Sequence, residues 1–75
     1  MKYTPRECRE LVQRLTPRQV SVLKKVAEGK TSKQLAAELH LSQNYVTNIR
    51  FVIYRVMGVA SNVEASRVAL MAGLL

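Results

Sequence analysis

Few side chains in this chain are equipped for covalent or metal chemistry, and those few stand alone. Cys8 is the single thiol and His40 the single imidazole. A metal site gathers several His, Cys or carboxylate groups at short spacing, and neither residue has such company, so no metal is expected. A lone cysteine forms no disulfide within the chain, and Cys8 reads as a small packing residue. Gly29-Lys30-Thr31 resembles the end of a phosphate-binding loop, but the earlier glycine and the preceding strand of that motif are missing. No Ser-His-acid set is present. The expectation is therefore a protein that is not an enzyme and carries no cofactor, metal or small-molecule ligand.

What remains is charge. Twelve Lys and Arg face five Asp and Glu, for a net charge of +7 and a pI near 10.2. Such an excess on a small domain attracts phosphate backbones, although it also serves solubility. Nine of the twelve cations precede residue 34. Phosphates are held by cations and by helix N-termini. Candidate backbone contacts are Arg18, Lys30, Thr31, Lys33, Ser42, Tyr45, Arg50 and Arg55. Any one lysine reads equally well as a solvated charge, and Tyr45 as a half-buried aromatic.

The elements that must position these residues are legible from their ends. Thr4-Pro5-Arg6-Glu7, Thr16-Pro17-Arg18-Gln19, Thr31-Ser32-Lys33-Gln34 and Ser61-Asn62-Val63-Glu64 each read as a capping box. Ser42 reads as a cap without a reciprocal partner. Gly29, Gly58 and Gly73 are placed to stop helices in the left-handed conformation. Helices are expected over about 5–14, 17–28, 32–39, 43–57 and 62–72. Apolar periodicity assigns the core to Val20, Leu23, Val26 and Ala27, then Leu35, Ala36 and Leu39. It continues with Val46, Ile49 or Arg50, Ile53 and Met57, and ends on Ala65, Val68, Ala69 and Ala72. Seventy-five residues make one domain at most. No run of about 20 apolar residues and no signal-peptide pattern is present, so no membrane association and a cytoplasmic location are expected. The fold class expected is all-α, a small bundle of four or five helices. His40-Leu41-Ser42 is so short a link that its two flanking helices must cross steeply, as in a helix-turn-helix.

Several stretches carry a family resemblance. They are Leu15-Thr16-Pro17-Arg18-Gln19, Val22-Leu23, and Val26 through Ala36 (Val-Ala-Glu-Gly-Lys-Thr-Ser-Lys-Gln-Leu-Ala). Leu39-His40-Leu41-Ser42, Val46, Ile53, Gly58-Val59, Glu64-Ala65 and Ala72-Gly73-Leu74-Leu75 continue in register. Together they resemble LuxR/GerE-type DNA-binding domains over about residues 15–75. The resemblance implies a tetrahelical domain of the winged-helix superfamily type, with 1–14 an added N-terminal extension that forms a short helix. It also implies that helix 43–57 is the recognition helix. Gln43, Asn44, Thr47, Asn48 and Phe51 would then face bases. Asn and Gln suit adenine, and a Thr methyl or aromatic edge suits the thymine methyl, which points to an A/T-containing half-site. Asn44 and Asn48 also fit a solvated helix surface, and Phe51 fits burial against a neighbouring helix. The last helix would supply a dimer contact through Val63, Arg67, Leu70 and Met71.

The chain departs from the family pattern in places. Tyr45-Val46-Thr47-Asn48-Ile49 stands where Thr-Val-Lys-x-His is usual, and the common basic residues near Val52 and Val56 are absent. Gln19 replaces Glu, and His40 replaces the Gly of the turn, a position His tolerates. The function implied is sequence-specific binding of double-stranded DNA by a homodimeric transcriptional regulator. The alternative is a protein-binding adaptor or antiactivator, because Phe51, Val52, Ile53, Tyr54, Val56 and Met57 make an apolar run around the helix.

Overall fold

The computed structural model describes residues 3–75. Its elements are α1 (Pro5–Gln13), α2 (Pro17–Ala27), α3 (Ser32–Leu39), α4 (Gln43–Met57) and α5 (Asn62–Met71), with no strand among the described residues. The all-α expectation holds. Three helices stop one residue short of the expected end, each on a cap residue still near helical geometry: Arg14, Glu28 and Ala72.

Side chains satisfy the helix starts. The Thr4, Thr16 and Thr31 hydroxyls each accept from the backbone N–H three residues on, and Glu7, Gln19 and Gln34 accept from the cap's own N–H in return. Ser42 Oγ accepts from the Tyr45 N–H at 3.1 Å, unreciprocated as expected. Ser61 differs from its expectation. Its hydroxyl accepts from the Glu64 N–H, but the Glu64 carboxylate accepts from the N–H of Ala60 at 3.1 Å, one residue beyond the cap. Ser61 itself is more extended (φ −149°) than the caps of the other four helices, whose φ lies between −72° and −81°.

The ends share one device. Lys30, Leu41, Val59 and Leu74 each donate a backbone N–H to the carbonyl five residues back. The residue before each donor has positive φ: Gly29, His40, Gly58 and Gly73. His40 (φ 57°, ψ 44°) therefore does at the α3–α4 turn what glycine does at the other three ends.

One core unites the helices. α2 packs along α5 and α4, α1 lies on α5 and touches α4, and α3 packs on α4. The fully buried side chains include Cys8, Val22, Leu23, Leu35, Val46, Val68, Ile53 and Met57, and among the described residues no polar side chain is buried. Burial pushes the Cys8 thiol pKa up, so it packs as a neutral group. On α4 the buried stripe is Val46, Ile49, Ile53 and Met57, which resolves the choice between Ile49 and Arg50 in favour of isoleucine. On α2 the core residues are Val22, Leu23 and Val26, whereas Val20 and Ala27 are half-buried. The radius of gyration, 11.5 Å, is close to the roughly 11 Å of a compact chain this long.

Candidate nucleic-acid interface

α3, the His40-Leu41-Ser42 link and α4 form the unit on which the candidate residues sit. Leu41 is half-buried and its N–H closes the turn on the Ala36 carbonyl at 2.9 Å. Burying Val46, Ile49 and Ile53 against the rest of the core leaves the opposite side of α4 to solvent. Gln43, Asn44, Tyr45, Asn48, Phe51, Val52 and Arg55 are exposed there. Phe51 is 62% exposed and Val52 43%. The expected alternative of Phe51 buried against a neighbouring helix is thus not what the fold does.

Thr47 is half-buried, and its hydroxyl donates to the Gln43 carbonyl at 3.0 Å. That bond uses the hydroxyl proton and leaves Thr47 a methyl and an acceptor oxygen but no donor. Arg50 is also half-buried and tethered. Its Nη1 donates to Ser32 Oγ at 2.6 Å, and its Nε and Nη2 donate to the Tyr54 hydroxyl at 3.2 and 3.1 Å. Ser32, Thr47, Arg50, Phe51 and Tyr54 together line an open concavity of about 140 Å³ between the start of α3 and the middle of α4. Ser32 and Tyr54 were not among the sequence candidates. The only signal for Tyr54 is its place four residues after Arg50, on the same helical face.

The cations divide into two groups. Lys30 Nζ lies 2.6 Å from Glu38 Oε1, and Lys25 lies 3.8 Å from the same oxygen. That hydrogen bond raises the Lys30 pKa and lowers that of Glu38, so both stay charged at neutral pH. Lys30 thus meets any phosphate already paired. Arg18, Lys33 and Arg55 are exposed and form no ion pair among the described residues. α4 has two arginines and no acidic residue. Thr31 and Ser42 are exposed caps whose hydroxyls are engaged with their own helices.

The profile of the bacterial regulatory proteins of the luxR family, GerE, matches residues 13–69. The chain belongs to the luxR family. The match takes in α2, α3, α4 and most of α5, which include the whole helix-turn-helix unit. Membership makes this LuxR-family chain a regulatory protein of DNA-binding type. No curated protein and no solved structure matches the chain. α1 lies almost wholly outside the family match, yet Cys8, Leu11 and Val12 bring it into the common core.

The candidate dimer residues lie along α5. Val63 and Leu70 are 59% and 54% exposed, Arg67 is exposed and Met71 half-buried. Val63, Arg67 and Leu70 fall three to four residues apart on one stripe facing away from the buried Ala65, Val68 and Ala69, whereas Met71 packs against the core. Among the described residues no helix is long and apolar enough to cross a membrane, and no group of three metal-ligating side chains occurs.

Proposed function

We propose that this LuxR-family domain binds specific sites on double-stranded DNA as a homodimer and regulates transcription in the cytoplasm. The observation that carries this is the division of α4. Its apolar stripe is buried, while Gln43, Asn44 and Asn48 stand exposed on a family-matched helix-turn-helix with no acid on that helix. The major groove admits a helix of this kind, and carboxamides suit adenine edges. Lys33, Arg18 and Arg55, which make no ion pair among the described residues, are the cations for phosphates, Tyr45 offers a hydroxyl donor, and the starts of α3 and α4 at Thr31 and Ser42 add backbone N–H groups. Arg50 and Lys30 join them as phosphate contacts, each shared with the partner it already has. Val63, Arg67, Leu70 and Met71 form the self-complementary dimer face. The LuxR-type unit is residues 15–75, with 1–14 as its extension.

A titration of labelled amides with a mixed-sequence duplex, at low and then moderate salt, tests the reading. Salt-sensitive shifts should concentrate on Ser42 to Phe51 and Lys30 to Lys33. A folded spectrum without shifts at low salt would contradict it.

The exposed Phe51 and Val52 favour a second reading, a protein-binding adaptor that uses this apolar face. In that case Phe51→Ala abolishes a protein complex and leaves the circular dichroism unchanged.

A further inference from the structure

We infer that Thr47 and Phe51 form a reader of the 5-methyl group of pyrimidines, so that DNA binding depends on that methyl. The inference rests on α4 being the groove helix.

Three features of α4 converge on it. Thr47 spends its hydroxyl proton on the Gln43 carbonyl, so it has no donor to offer a base, only a methyl beside an acceptor oxygen. Phe51 follows one turn later on the same face and is 62% exposed, a large apolar group left mostly uncovered by the described residues. Arg50, the one cation between them, is held at all three guanidinium nitrogens by Ser32 and Tyr54. It is thereby kept from reaching out to a guanine edge as a free arginine does. These side chains share one open, largely apolar concavity of about 140 Å³. An apolar cavity of about 150 Å³ holds a benzene ring, so the space suits a methyl with the adjoining pyrimidine edge.

Charge selects the occupant. Arg50 lines the concavity, Lys33 and Arg55 follow its lining residues Ser32 and Tyr54 in the chain, and α4 has no carboxylate, which suits a polyanion. Double-stranded DNA is the polyanion whose major groove also presents a small apolar projection, the 5-methyl of thymine. A cytosine methylated at carbon 5 presents the same group at the same place.

The test begins by selecting duplexes from a random pool with the intact protein at low salt. Thymines in the selected site are then replaced one at a time by deoxyuridine, which removes only the methyl. Affinity should fall about fourfold at one or two positions, the value of one buried methyl group. 5-Bromodeoxyuridine should restore it. At those positions 5-methylcytosine should bind about fourfold more tightly than cytosine; a response to thymine alone limits the occupant to thymine. Phe51→Ala should flatten these differences with unchanged circular dichroism. Selected duplexes that bind equally well with and without every methyl overturn the inference and leave the DNA reading standing. Failure to select any duplex overturns both. Conversion of a dimer to a monomer by Phe51→Ala, with methyl discrimination unaltered, assigns the face to a second copy of the chain and also overturns the inference.

Discussion

His40 shows how far one residue departs from its local optimum to complete a turn. It occupies the left-handed region, where Gly29, Gly58 and Gly73 close the other helices. A side chain there costs roughly 1–2 kcal/mol against the right-handed region, part of which glycine would return as unfolded-chain entropy. His40→Gly should therefore stabilise the domain by about 0.5–1 kcal/mol, raising Tm by roughly 4 °C. Thermal unfolding followed by circular dichroism measures this. A lower Tm would mean that the exposed imidazole makes contacts worth more than the backbone strain. DNA affinity should not change, because the turn geometry is the same in both proteins. Glycine is also the residue the family resemblance puts at this turn, so the position was legible as a tight turn, and its positive φ follows from that.

At the scale of elements, α3 and α4 carry different tasks, and two substitutions separate them. Asn48→Ala on α4 should cost about 1–3 kcal/mol at a selected site and little on mixed DNA. Lys33→Ala on α3 should weaken binding to all sequences alike and reduce the slope of log affinity against log salt by about one. Equal effects of both substitutions on specific and mixed duplexes would refute this division. The elements themselves were readable because their starts are chemical signatures: Thr4, Thr16 and Thr31 each bond as their spacing to Glu7, Gln19 and Gln34 required. What periodicity could not read was the environment on the far side of a helix. Val22 lies off the stripe of Val20, Leu23, Val26 and Ala27, but α2 packs against both α5 and α4, which widens its buried face. For the same reason Lys30 reads from the sequence as a phosphate contact, and Arg50 as either a phosphate contact or a member of the apolar stripe. Their partners, Ser32 and Glu38, belong to α3, and a helix pattern says nothing of what a neighbouring element brings.

At the scale of the whole molecule, α1 poses the question of where the folding unit begins. The family match starts at residue 13, and the sequence reads 1–14 as an extension. Yet Cys8 is fully buried, Leu11 and Val12 nearly so, and α1 rests on α5 and α4. An appendage would fray alone, whereas a part of the core unfolds with it. A 75-residue domain has only about 4–11 kcal/mol of stability in total. Leu11→Ala removes a buried side chain and leaves a cavity, at a cost of about 2–5 kcal/mol. That loss should lower the denaturant midpoint substantially while leaving one transition. Amide exchange should show α1 and α5 opening together, with their protection falling equally in the variant. The alternative outcome is distinct: α1 amides that exchange freely while α5 stays protected, with Leu11→Ala nearly silent. That result would make the first helix a detachable strap on a four-helix core. The absence of buried polar side chains among the described residues argues for the former, since Cys8, Leu11 and Val12 belong to one apolar cluster with residues from all the other helices.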